Sequence, residues 1–318
     1  MPTARIAKRE PPKPAGHRLP ALDKHWKLRR AAGLQILEAI PLKKLNWLVH
    51  GFSTRPGGIS DLEKSPSGRA KKESVLNLGF TDWDRRESVA ENRRRFAEAL
   101  GAKSSALITL RQIHSDVVRI VGSAPSDACQ GDALATRAPR LLLSVQTADC
   151  IPILLVDPRN RAVAAVHAGW RGTLARIAAK TIGRMQMEFG TRPADVLAAL
   201  GPGIGRCCYE VGPEVVKEFA AQFPQARDWF DGAFDALVSG EDPNPLPWLT
   251  MMPPGHEPPP PRCHLDLHAA NSAILAAAGV APKNIFAVNL CTSCRTDLFF
   301  SYRREAQTGR MMATIAIV

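Results

Sequence analysis

One domain of mixed α and β structure is what the sequence predicts, on three observations. Strand-like and helix-like segments are intermixed without a regular βαβ repeat. The centre of the chain holds two apolar runs divided by a turn, the pattern of a buried β-hairpin. Across 318 residues, 45% apolar and 23% charged, there is enough apolar material for a sizeable core. No internal repeat is visible. The G-x-G at Gly201–Gly203 lacks the third glycine and acidic partner of a dinucleotide fingerprint, which argues against a Rossmann cofactor site.

Residues 1–33 are rich in Pro, Lys and Arg without apolar periodicity and are expected to form a disordered basic extension, leaving the folded domain to 34–318. Apolar residues from Leu34 lead through Trp47–Val49 into a turn-rich loop, His50-Gly-Phe-Ser-Thr-Arg-Pro-Gly-Gly58, that carries Arg55. A densely charged surface helix is expected from about Arg85 to Leu100, stopped by Gly101. Short strands at Leu107–Leu110 and Val117–Val121 flank Gln112 and His114. In the centre, Leu141–Val145, Ile151–Val156 and Ala162–Val166 are apolar, and Asp157-Pro-Arg-Asn160 is a turn. Gly169-Trp-Arg-Gly-Thr173 opens a helix expected to run to Phe189. Leu197–Leu200 reads as a strand, Pro213 as the first position of a helix to about Phe223, and Asp266–Ala278 as a further helix. Nine prolines in 243–261 mark a proline-rich insertion at about 224–262, and Ile285–Leu290 and Met311–Val318 supply late strands.

The net charge of +12 is concentrated. Nine Lys/Arg against two Asp/Glu in residues 1–30 give +7 there, and the remainder is only mildly basic. A solvated tail accounts for it, so no nucleic-acid partner is expected. The tail has no apolar core of signal-peptide length, and no stretch approaches the roughly 20 apolar residues of a membrane span. A cytoplasmic protein, monomeric or a small homo-oligomer, is expected. Seven unevenly spaced cysteines fit a reducing compartment and direct attention to reactivity or metal binding.

If Pro158 and Arg159 are the only loop residues of the hairpin, Cys150 lies directly opposite His167. Directly opposed residues point to one face with Cβ atoms about 4.5–5.5 Å apart, close enough to share a metal. A longer loop would shift this pairing, and a slip of one residue would reverse a face. Catalytic zinc normally takes three protein ligands and keeps an open position. His114 is the best third ligand, because His17 and His25 lie in the tail and His256 in the proline-rich stretch; His50, His264 and His268 remain open.

His50-Gly-Phe-Ser-Thr-Arg-Pro-Gly-Gly58, Asn77-Leu-Gly79, Gln112-Ile-His114, Gly131-Asp-Ala-Leu-Ala-Thr136, Thr147-Ala-Asp-Cys150, His167-Ala-Gly-Trp-Arg-Gly172, Gly201-Pro-Gly-Ile-Gly205 and Phe299-Phe-Ser-Tyr-Arg303 resemble the laccase-domain family, once called multicopper polyphenol oxidases and also peptidoglycan editing factors. The likeness is collinear from about residue 47 to the C-terminus. It implies a single α+β domain of layered α/β/β/α type, with mixed sheets and the central hairpin carrying the metal site. It also implies a zinc-dependent purine nucleoside phosphorylase acting on adenosine, inosine and methylthioadenosine with phosphate, and adenosine deaminase activity. The family's zinc ligands fall on His114, Cys150 and His167. The basic tail and the proline-rich stretch depart from the pattern, and Cys291-Thr-Ser-Cys294 matches it only at the first cysteine. That pair could signal a second metal or a redox switch, although one C-x-x-C alone is weak evidence.

Zinc held by two imidazoles and a thiolate leaves room for a water whose pKa falls to about 7, which suits attack at purine C6. Phosphorolysis needs an anion pocket, for which Arg55 and Arg171 are candidates. Asp132 and Asp149 are candidates for orienting a histidine or transferring protons, and Asn77 and Gln112 for hydrogen bonding base or ribose. The alternatives are a thiol hydrolase or amidase using Cys150 and His167, as peptidoglycan editing would need, and a metal-stabilised interaction protein. Copper in place of zinc is possible, but multicopper oxidation normally draws on many more histidines than the eight here.

Overall fold

In the computed structural model the described residues are 22–63, 72–124, 129–240, 262–305 and 307–318. Residues 1–21 of the expected basic extension and 241–261 of the proline-rich insertion lie outside them.

Strands β1 (Trp26–Ala31), β2 (Leu34–Ala39) and β3 (Leu48–Ser53) open the fold, with a short helix α1 (Ile40–Lys43) between the last two; β4 (Pro56–Glu63) and β5 (Lys72–Val75) form a separate hairpin. Helix α2 (Arg86–Leu100) leads to β6 (Ala106–Ile108), β7 (Val118–Ile120), β8 (Ala133–Thr136), β9 (Leu141–Thr147), β10 (Ile151–Asp157) and β11 (Ala162–Ala168). Helices α3 (Trp170–Leu174) and α4 (Ile177–Phe189) precede β12 (Leu197–Leu200), β13 (Glu210–Val211), α5 (Pro213–Gln222), β14 (Phe230–Gly232), α6 (Phe234–Ser239), β15 (Cys263–Leu265) and α7 (Leu267–Ala277). β16 (Ile285–Ala287) and β17 (Met311–Ile317) complete the sheets.

Two six-stranded mixed sheets, ordered β1-β2-β3-β17-β9-β6 and β16-β12-β10-β11-β8-β7, pack face to face. Phe52, Val145 and Ile315 of the first meet Leu154, Val163 and Leu134 of the second in one buried cluster. Phe96 and Leu100 of α2 cover the outer face of the first sheet over Leu142 and Met312. Ile182 of α4, Phe219 of α5 and Leu275 of α7 cover the outer face of the second, over Ile153, Leu155 and Val166. The result is the layered α/β/β/α arrangement. β10 and β11 are buried at every position because both of their faces are covered, which is why they read as continuous apolar runs. Each buried Leu, Ile or Val there contributes about 1.5–3 kcal/mol.

Four expectations need correction. The extension is structured from Trp26, since β1 pairs with β2 around Ala32 and Gly33, both at positive φ as a two-residue hairpin turn requires. Buried Trp26 and the Arg29–Glu38 ion pair hold β1 in place despite its charge. The insertion expected at 224–262 contributes β14 and α6, with Trp229 and Phe234 in the core. The helix expected from 169 to 189 is broken after Leu174, where Arg176 turns left-handed at φ 58.

The fourth correction concerns the hairpin register. The turn takes four residues, with Arg161 at positive φ and the Asp157 carboxylate accepting from the Arg159 and Asn160 amides. His167 therefore pairs with Pro152, and Cys150 precedes the paired strand. The shift is two residues, an even number, so Cys150 remains on the His167 face as a diagonal neighbour.

Candidate metal centre

β7, β8 and β10 begin, and β11, β12 and β16 end, along one edge of the second sheet. His114, Cys150 and His167 converge there, with one ligand atom from each lying within 4.8 Å of the others. Cys150 Sγ is 4.0 Å from His114 Nε2, and the two imidazoles meet edge to face with centroids 4.9 Å apart. Tetrahedral zinc with N and S ligands brings such atoms to roughly 3.5 Å, so the set fits one ion after a small contraction. The competing histidines are elsewhere. His50 is buried against the Ala39 amide, His264 lies in β15, and His268 Nε2 bonds the Gly201 carbonyl.

Asp132, fully buried just before β8, organises the cluster. Its carboxylate accepts His167 Nδ1 at 2.9 Å, the amides of Ile113, His114 and Ser115, and the Ser115 hydroxyl. Burial alone would raise its pKa, but the bonds from His167 and Ser115 outweigh that and hold it well below the carboxylate range. The same bonds hold His114 in a left-handed conformation, φ 57, that an ordinary chain rarely adopts. With Nδ1 committed, His167 presents Nε2 to the cluster.

Asp149, also at positive φ, positions the Cys150 turn. Its carboxylate accepts the Thr292 hydroxyl at 2.6 Å and the Arg303 amide at 2.7 Å, while its carbonyl accepts the Ile204 amide. Burial pushes its pKa up despite these bonds. Gly169 completes the approach, because a Cβ there would stand 2.9 Å from Cys150 Sγ and 3.1 Å from His114 Cδ2. Burial raises the Cys150 thiol, but His167 and then His114 outweigh it and bring the pKa down to about 6. Burial lowers His167, yet the Cys150 thiolate and Asp132 push it up to about 9.

The expected substrate contacts divide differently. Arg171 is exposed beside the cluster, its guanidinium 4.3 Å over the Trp170 ring. Arg55 is fully buried between Glu305 and Glu73, so it braces the loop before β17 and is not open to an anion. Asn77 is buried, bonding Gly79, Thr81, Asp84 and the Arg310 amide. Gln112 clamps both backbone groups of Gln146. All three are thus engaged with protein partners. Arg310 and Tyr209 went unremarked in the sequence, yet both lie within electrostatic reach of Cys150 and Asp149, and Arg303 stacks on Tyr209 at 5.2 Å.

Fold and cluster together define a layered protein with a His/Cys/His cluster able to hold a metal ion at the strand ends of its second sheet. The profile of the multi-copper polyphenol oxidoreductase laccase family matches residues 49–318, and the chain belongs to that family. It is 38% identical over 288 residues to a purine nucleoside phosphorylase of Deinococcus radiodurans, covering 90% of this chain and 94% of that one. It is 34% identical over 279 residues to adenosine deaminase RL5 of an unknown prokaryotic organism, covering 83% and 94%. The crystal structure of YlmD from Geobacillus stearothermophilus superposes with a TM-score of 0.71 at 32% identity, over 91% of this chain and 98% of that one. Among the described residues no helix is long and apolar enough to cross a membrane.

Proposed function

We propose that this chain is a zinc-dependent purine nucleoside phosphorylase that acts on adenosine, inosine and methylthioadenosine with phosphate and also deaminates adenosine. The three-ligand cluster carries the reading, supported by the activities named for the relatives. The donor set, two imidazole nitrogens and one thiolate, fits a borderline-soft ion. Bound there, zinc would supply Lewis acidity and lower the pKa of a coordinated water to about 7. One such set accommodates one ion, which favours nucleoside chemistry over oxidation by several coppers.

The chain's own residues do the rest. Asp132 fixes the His167 tautomer and the His114 turn, so both rings are aimed before substrate arrives. Asp149 holds the turn that presents Cys150. His114 is exposed, so the cluster is reachable from solvent. Arg171 offers a guanidinium to phosphate, and Arg171→Ala should weaken phosphate-dependent cleavage about tenfold or more, while phosphate-independent ammonia release from adenosine stays near the parent rate. Equal losses in both reactions would make Arg171 structural.

The ionised Cys150–His167 pair also favours a second reading, a thiol hydrolase. Chelated protein assayed on a nucleoside panel, with and without phosphate and after adding back zinc or copper, separates the two. The proposal expects activity lost on chelation and restored by zinc. Nucleoside turnover that survives complete metal removal would overturn the zinc dependence, and no turnover of any nucleoside would overturn the substrate class.

A further inference from the structure

A second sulfur cluster lies beside the first along the same sheet edge. The parallel strands β12 and β16 end there, and their extensions stay joined through a bridge between Gly203 and Cys291 and the Thr292 amide bonded to the Gly203 carbonyl. One extension turns at Cys207-Cys208 and the other at Cys291-Thr-Ser-Cys294. All four Sγ atoms lie within 4.8 Å of one another. Cys294 Sγ is 3.5 Å from Cys207 Sγ and 3.4 Å from Cys208 Sγ, and none of the four is in a disulfide.

We propose that Cys207, Cys208, Cys291 and Cys294 form a closed, structural zinc site, distinct from the His114/Cys150/His167 centre. Tetrahedral zinc with Zn–S near 2.3 Å sets its thiolates about 3.8 Å apart, within the spread these sulfurs already show. A disulfide needs two sulfurs at about 2.05 Å, and no pair is there. A cluster of two or more irons divides its thiolates between metals and spreads them further than this compact set. The surroundings suit a thiolate site. The Gly205 amide donates to Cys291 Sγ at 3.2 Å, the kind of outer contact that orients a ligand. Gly205 also permits the crowding, since a Cβ there would sit 3.1 Å from Cys291 Cβ and 3.3 Å from Cys207 Sγ.

The site braces the other centre. Ile204, three residues before Cys207, donates its amide to the Asp149 carbonyl, and Thr292, between the other two ligands, donates its hydroxyl to the Asp149 carboxylate. Both cysteine turns thus hold the residue that positions Cys150. Tying them to one ion joins two loops that are distant in sequence.

The test is the zinc content of the full chain after purification in zinc-supplemented medium and removal of loosely bound metal. The proposal expects two zinc ions per chain in the parent, one in His114→Ala, one in Cys294→Ser and none in the double variant. His114→Ala containing no zinc, or Cys294→Ser retaining the parent's content, overturns it. The two centres fail separately, because a parent with one zinc lost only in Cys294→Ser would support this site and sink the other. Should Cys294→Ser not fold, cobalt loaded into His114→Ala gives the answer without it. Four thiolates predict sulfur-to-cobalt charge-transfer absorption in the near ultraviolet, and its absence, or iron in place of zinc in the parent, overturns the assignment.

Discussion

The two sulfur-bearing clusters stand on one sheet edge but are built differently. At the His114/Cys150/His167 centre the three side chains come from a strand end, a turn and a left-handed loop, the two histidines referred to the buried Asp132 carboxylate and the Cys150 turn to Asp149, and one side reaches solvent through His114. The four-cysteine cluster sits instead on two turns, with cysteines up to 87 residues apart in sequence, that meet at Asp149 through the Ile204 amide and the Thr292 hydroxyl. The first has the three-ligand composition that leaves a metal open to chemistry, and the second has the four-ligand composition that closes it. What separates them is preorganisation. The strained residues His114 and Asp149 both serve the first centre, and such strain persists only where surrounding bonds over-determine it.

That contrast can be broken most severely at Asp132. Asp132→Ala leaves three amides, a hydroxyl and His167 Nδ1 without their acceptor, and should cost about 3–5 kcal/mol in urea unfolding, together with metal at the first centre only. A loss below about 1 kcal/mol would mean that the His114 turn does not depend on the carboxylate.

A smaller effect is expected at Gly169. Its φ of −76 suits any residue, so Gly169→Ala should leave the fold intact, while the new methyl group pushes on Cys150 Sγ and His114 Cδ2. Competition with a chelating dye should show about a tenfold loss of affinity at the first centre and none at the second. Unchanged affinity at both would show that Cys150 has room to move.

The smallest effect is a pH profile. In metal-free protein the neighbouring histidines favour the Cys150 thiolate, so its alkylation should be constant well above pH 6 and fall on acidification through about 6. An ordinary thiol falls off through about 8.5. A midpoint at the ordinary value would remove the electrostatic coupling drawn between Cys150 and His167.

Much of this was legible in the sequence because it depends on period and chemistry. The unbroken apolar runs of β10 and β11 announced a hairpin covered on both faces, and the residue types at 114, 150 and 167 pointed to side chains that converge. The exact pairing was not legible, because it rests on Asp157 capping a four-residue turn, and the face survived only because the shift was even. Arg55, Asn77 and Gln112 look like substrate contacts in a list of polar residues. Only their partners, Glu305, Asp84 and the Gln146 backbone, reveal that these side chains are engaged within the protein. The four-cysteine cluster was half visible in Cys291 and Cys294. Its other half became apparent only when the parallel pairing of β12 with β16 brought Cys207 and Cys208 alongside.

The most direct test of the central claim is His114→Ala, measured for zinc at the first centre and for nucleoside turnover in the same preparation. His114 comes from a separate loop and favours the Cys150 thiolate less than His167 does, so a thiol hydrolase should keep much of its turnover without it. The account predicts that the variant folds, loses the zinc bound at His114, Cys150 and His167, and retains only a small fraction of parental turnover, as Cys150→Ser should too. A His114→Ala protein that binds zinc at Cys150 and His167 normally and turns over nucleoside at the parent rate would contradict it.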